Sequence, residues 1–141
     1  MILTDNRQTF CAEDEQGANV IVSLRLELDA FIQSKKLPFR IEIRLPYEAG
    51  GDGMPLSDTY PLLEQVGEAL QKTMERDKLA ILAYQFVGGG RMVWVYYARN
   101  TDIFFERLND ALADIDPLPL EFEAERDTEW DDYSSLFDAL P

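Results

Sequence analysis

The sequence contains no histidine and a single cysteine, Cys11. Without histidine the commonest general base and metal ligand is missing, and no Ser-His-Asp or Cys-His nucleophile arrangement can be assembled. One thiol and no imidazole exclude the usual structural zinc ligand sets. A lone cysteine also rules out an intramolecular disulfide, so nothing calls for an oxidising compartment. Phe10 and Ala12 beside it read as strand neighbours, and a buried structural thiol is expected.

Positive charge is scarce. Thirteen Lys and Arg face 27 Asp and Glu, a net charge of -14. Such a field repels phosphates, which disfavours DNA, RNA and anionic membranes as partners. It suits a basic protein partner or cations, or serves solubility alone. Long apolar runs are missing too. No stretch approaches the roughly 18 residues needed to span a bilayer. The start, MILTDNRQ, lacks the basic and apolar regions of a signal peptide. A cytoplasmic protein that needs no cofactor is the expectation.

What is present is a core-forming chain. The hydrophobic fraction is 46%, enough for one domain over residues 1–141. The charge is distributed unevenly: residues 1–107 hold 12 basic and 16 acidic groups, whereas residues 108–141 hold one basic and 11 acidic groups. The acidic last quarter is therefore a candidate interaction surface.

Apolar periodicity gives the element order. Gln8–Glu13 and Val20–Leu28 read as two strands of a hairpin, turned near Gly17. The segment 29–37 fits a short helix or a loop equally, and Pro38 biases Leu37 away from helical angles. Phe39–Leu45 alternates as a strand, and the glycine-rich segment 48–57 is a loop. Leu63, Val66, Leu70 and Met74 recur at helical spacing, which predicts an amphipathic helix over Tyr60–Arg76, with Asp58 or Thr59 as cap. Gly67 lies inside that helix, where it costs about 1 kcal/mol relative to alanine; close packing on a strand would account for it.

Leu79–Val87 and Arg91–Ala98 are apolar on both faces, which places them centrally in a sheet, joined by a tight turn at Gly88–Gly90. A second helix begins near Asn100 and runs to about Asp114. Leu120–Glu125 forms a last strand. Residues 127–141 are an acidic tail with at most two helical turns.

From Phe39 the order strand, helix, strand, strand, helix, strand is that of an α+β fold, the ferredoxin-like split βαβ (βαββαβ) antiparallel sheet with two helices, preceded by a hairpin. Residues 1–37 would be hairpin and connector, 38–126 the core, and 127–141 the tail. That topology places Phe39–Leu45 between Arg91–Ala98 and Leu120–Glu125. It sets Arg40 and Arg44 across from Glu121 and Glu123.

No constellation identifies a reaction, and no catalytic or metal-binding residue can be named. Neither glycine group has the residues of a phosphate-binding loop. Asp127, Glu129, Asp131 and Asp132 offer carboxylates without calcium-loop spacing. Tyr84, Phe86, Trp94 and Tyr96 share one strand parity and could form either an aromatic binding face or a covered core.

The segments GGDGMPLSDTYPLLEQVGEAL, GGGRMVWVYY and RDTEWDDY together resemble the bacterial domain of unknown function family 695. The likeness runs from the N-terminal strands to Tyr133. The acidic residues around tryptophan (Asp127, Glu129, Trp130 and Tyr133) are its most specific part. The resemblance implies no activity and no catalytic residues. Some members are associated with a domain similar to the RraB-type inhibitor of ribonuclease E, which implies a regulatory role.

The function expected is a non-enzymatic acidic module that inhibits or regulates a basic protein, in the manner of an inhibitor or immunity protein. Asp127, Glu129, Trp130, Asp131, Asp132 and Tyr133 are its candidate contact residues. The alternatives are a carboxylate- or metal-dependent hydrolase, and a small-molecule-binding or self-associating domain that uses the aromatic strand face. Monomer and homodimer are equally compatible with the sequence.

Overall fold

A computed structural model describes residues 1–141. The elements are β1 (Arg7–Glu13), β2 (Asn19–Arg25), α1 (Asp29–Ser34), β3 (Phe39–Pro46), α2 (Tyr60–Glu75), β4 (Ala80–Gly88), β5 (Arg91–Ala98), α3 (Thr101–Ala111), β6 (Glu121–Arg126) and α4 (Asp131–Asp138). The fold is α+β. One six-stranded sheet has the order β1-β2-β4-β5-β3-β6, with every neighbouring pair antiparallel. The N-terminal hairpin does not merely precede the sheet; it extends it past β4. Four helices are present, because α1 and α4 join the two expected ones. No helix is long and apolar enough to cross a membrane.

The sheet is covered on both faces. On one face the apolar stripe of α2 (Leu63, Val66, Leu70, Met74) and α3 (Phe104, Leu108) packs on Ile41, Ile43, Trp94 and Tyr96. Asn100 caps α3 by accepting the backbone N–H of Ile103 at 3.0 Å. On the opposite face Phe31 of α1, Trp130 and Tyr133 pack on Leu24, Ile81, Val93, Val95 and Tyr97. Double coverage explains why β4 and β5 are apolar on both parities.

Two register details differ from simple alternation. Leu82 pairs with Tyr96, but Tyr84 pairs with Val95, so Ala83 is an extra residue in β4. A bulge of this kind reverses side-chain parity beyond it. Tyr84 therefore belongs to the core under α4, and Phe86 packs partly against it, while Trp94 and Tyr96 face α2 and α3. The four aromatics do not share one face. β3 does lie between β5 and β6, but its register with β6 sets Arg44 opposite Glu121 and Arg40 opposite Glu125. Arg44 reaches Glu123 diagonally at 3.2 Å.

β2 stops at Arg25 because Glu27 adopts φ 63°, a left-handed conformation that ends the pleat. Thr4 and Asn6 donate to the Glu27 carboxylate there. Cys11 is exposed rather than buried, because its strand is the sheet edge and no helix covers it. At the Gly88–Gly90 turn all three residues have positive φ, and a Cβ on Gly88 would meet the Asn19 carbonyl at 2.4 Å. Glycine is therefore required there. The earlier glycine loop closes onto this turn through Gly90 N–H to the Gly53 carbonyl at 3.0 Å.

Candidate functional site

Three places merit description as sites: the acidic tail motif, the outer edge of the sheet, and a cleft beside α2.

The tail motif forms a clasp. Trp130 is 1% exposed and takes φ 55°, which turns its indole under the sheet. The ring stacks on Tyr97 with centroids 4.1 Å apart, and its N–H donates to the Leu37 carbonyl at 2.9 Å. Asp127 accepts the backbone N–H of Asp131 at 2.8 Å and of Asp132 at 3.2 Å, so it satisfies two free amides of the first turn of α4 from outside the helix, where Trp130 at the N-cap position supplies no side-chain bond. It also accepts the Tyr97 hydroxyl at 2.7 Å. Burial, reinforced by Asp127, raises the Tyr97 phenol well above its ordinary value.

Asp132 is paired with Arg40, whose Nε donates to its carboxylate at 2.8 Å. The Tyr84 hydroxyl donates to the same oxygen at 2.6 Å. Burial first, and Asp132 second to Arg40's opposing effect, leaves the Tyr84 phenol raised. Tyr133 donates to the Arg25 carbonyl at 2.5 Å. Glu129 bonds Lys35 in an exposed pair. Of the six residues singled out in the sequence, Trp130 and Tyr133 are core, Asp127 and Asp132 are internal partners, Glu129 is paired, and Asp131 is exposed. The motif brings all six together, but chiefly to fasten the tail.

The sheet edge is different. All six residues of β6 are exposed, and β6 has a strand neighbour on one side only. Glu121, Glu123 and Glu125 alternate along it, facing Arg44, Glu42 and Arg40 of β3. Arg126, at the end of the same exposed strand, lies over the Phe39 ring at 5.0 Å. The Glu42 carboxyl is subject to burial, which raises it, but hydrogen bonds from Arg40 and Arg44 prevail and hold it below the usual carboxylate range. Five carboxylates (Glu42, Glu121, Glu123, Glu125 and Asp132) surround two arginines, so this ladder keeps an excess of negative charge.

The third place was not anticipated from the sequence. A cleft of about 460 Å³ opens between α2 and the β1–β4–β5 side of the sheet. Its α2 wall carries Tyr60, Glu64, Gly67, Glu68 and Gln71, and its floor includes Trp94. Arg7 lies in it, held by Asp5 at 2.8 Å and Gln71 at 2.8 Å. Gly67 was the one signal in the sequence. A Cβ there would sit 3.0 Å from the Trp94 indole nitrogen. The glycine thus admits a close approach of helix to strand, as its position inside the helix suggested. Deeper on this face Arg25 and Glu75 form a buried pair at 2.5 Å.

No three His, Cys, Asp or Glu side chains converge in an arrangement able to hold a metal ion. No curated protein and no solved structure matches the chain. A family model does match: Family of unknown function (DUF695), over residues 8–137. That match takes in all but the first residue of the sheet, the glycine loop and turn that meet at Gly53 and Gly90, and the Trp130 clasp. The chain therefore belongs to the family of unknown function DUF695.

Proposed function

We propose that the chain is a non-enzymatic acidic binding module whose outer edge, β6, takes an extended basic segment of a protein partner. The observation that carries this reading is the edge itself: six consecutive exposed residues with unpaired backbone groups, lined by Glu121, Glu123 and Glu125. An exposed edge accepts a further strand through main-chain hydrogen bonds, and alternate side chains set its specificity. Here those side chains ask for lysine or arginine. Charge complementarity of this kind speeds association and weakens with salt. The Trp130 clasp supports the edge from behind, because Asp132 holds Arg40 in place beside Glu125.

The same reading takes β4-β5-β3-β6 with α2 and α3 as a ferredoxin-like split βαβ unit extended by the hairpin, supported by their strand order. It also sets the protein in a bacterial cytoplasm as a regulator, inhibitor- or immunity-like, of a basic protein.

The test is affinity capture with the full chain at low salt, comparing wild type with Glu121→Gln/Glu123→Gln/Glu125→Gln. The triple variant should keep its melting temperature. A basic protein retained by wild type and lost from the variant supports the reading. Equal retention by both, or no basic protein at all, contradicts it and leaves the carboxylates as guards against self-pairing of the edge.

A further inference from the structure

The free backbone groups of β6 belong to a definite set of residues. Asp127 N–H donates to the Pro38 carbonyl at 2.8 Å, one step beyond the opposed pair Phe39 and Arg126. Opposed residues of an antiparallel ladder alternate between bonded and unbonded pairs. Glu121, Glu123 and Glu125 therefore turn their backbone groups towards β3, and Phe122, Ala124 and Arg126 turn theirs to the open edge. The other side of β3 agrees. Tyr47 N–H donates to the Gly90 carbonyl at 3.1 Å, which commits the odd-numbered residues of β3 to β5 and leaves the even-numbered ones for β6.

Side chains of a strand added at this edge alternate between the two faces of the sheet. Those opposite the three glutamates share the glutamate face, where basic residues match. Those opposite Phe122 and Ala124 emerge on the other face, beside α3. That face is apolar and open. Phe122 packs edge-on against Phe105 at 5.4 Å, yet it stays 42% exposed. A pocket of about 420 Å³ lies against it, walled by Leu108 and Leu112 at the end of α3, by Ile115 and Leu118 in the connection to β6, and by Leu120. Opposed side chains on neighbouring strands lie about 5 Å apart, so one placed across from Phe122 reaches this pocket. A second copy of the chain is a poor occupant, because antiparallel pairing of β6 with itself sets glutamate beside glutamate.

We propose that the segment docking on β6 is amphipathic, alternating lysine or arginine with bulky apolar residues: the basic side chains meet Glu121, Glu123 and Glu125, and an apolar one seats in the pocket beside Phe122. This rests on the docking role of β6 and names which extended segments that edge accepts. A basic segment without the apolar alternation leaves the pocket unfilled, and an apolar strand without charge leaves the glutamates unmatched.

The experiment is an NMR titration of the full chain at low salt with three heptapeptides of equal charge. One alternates lysine with leucine, one alternates lysine with threonine, and one carries the lysines and leucines of the first in two separate blocks. The alternating leucine peptide should bind at least about tenfold more tightly than either of the others. It should protect the amides of Phe122, Ala124 and Arg126 from exchange and shift the methyl resonances of Leu112 and Leu118. Phe122→Thr keeps a strand-forming residue while removing the apolar wall. Leu118→Ser alters the pocket from outside the strand. Each should erase the preference for leucine and leave binding of the threonine peptide unchanged. Protection of β6 by the leucine and threonine peptides at equal affinity overturns this proposal and leaves the docking edge standing, whereas protection by none of the three overturns both. The proposal is also overturned if the block peptide binds as tightly, if Leu112 and Leu118 are unmoved, or if both variants keep the preference. Protection of β6 that rises with the concentration of the chain alone assigns the edge to a second copy and overturns it as well.

Discussion

The indole of Trp130 lies flat on the phenol ring of Tyr97, 4.1 Å between centroids and 11° from parallel. This contact joins the tail to the centre of the sheet, since Tyr97 belongs to β5 and is fully buried. Trp130→Ala should cost about 3–5 kcal/mol, the range for removing a buried aromatic. Urea unfolding checks this. A loss below about 1 kcal/mol would mean that the tail contributes little to the fold.

The carboxylates of the same motif should behave unequally. Asp127 satisfies two backbone N–H groups and the Tyr97 hydroxyl. Asp127→Ala should cost about 1–2 kcal/mol. Glu129 and Lys35 are 61% and 48% exposed at the side chain, and such pairs contribute little. Glu129→Gln should therefore stay within about 0.5 kcal/mol of wild type in the same unfolding experiment. Equal losses for both would remove the role of Asp127 in satisfying those amides.

The Tyr96 hydroxyl is buried with no hydrogen-bond partner. Its burial, with Glu75 near, pushes the phenol well above its ordinary value. Tyr96→Phe keeps the ring packed on Phe104 and removes the unsatisfied group. It should stabilise the protein by about 1 kcal/mol, read as a raised urea midpoint. A destabilised variant would show that the hydroxyl has a favourable partner.

Stability should depend on pH at both ends. Glu42 titrates lower in the folded than in the unfolded chain, so the unfolded state binds its proton first and stability falls as pH drops below about 4. The stability gap between wild type and Glu42→Gln should narrow from pH 6 towards pH 3. Comparing the two cancels the general relief of charge repulsion in acid. Burial, and Asp29 beyond it, pushes the Tyr133 phenol up to about 12. The folded state then holds its proton longer, and the stabilisation is lost as pH rises from about 10. The gap between wild type and Tyr133→Phe should narrow from pH 9.5 upwards. A gap that widens in either direction contradicts the sign.

Alternation made much of this sheet legible. It marked Phe39–Leu45 and Leu120–Glu125 as strands, the order of strands and helices placed β3 between β5 and β6, and the two-sided apolar strands β4 and β5 are central. The extra residue Ala83 left no mark, because it is one small apolar residue among others, and the parity of Tyr84 and Phe86 was therefore reversed. Cys11 was misplaced for a tertiary reason: its strand ended at an edge without a covering helix. The acidic motif around Trp130 was visible, but not that Asp127 and Asp132 are engaged by Tyr97, Tyr84, Arg40 and the first amides of α4. The cleft was not visible at all beyond Gly67, since Asp5 and Arg7 meet α2 only in the folded chain.

The most direct test of the β6 docking edge compares it with the other edge of the same sheet. Backbone amide exchange of the full chain is measured with and without a short peptide alternating lysine and valine. Residues Glu121–Arg126 should gain protection at low salt and lose it as salt screens the charges, while the opposite edge strand, Arg7–Glu13, stays unchanged. Protection absent from β6, or equal at both edges, would contradict the account.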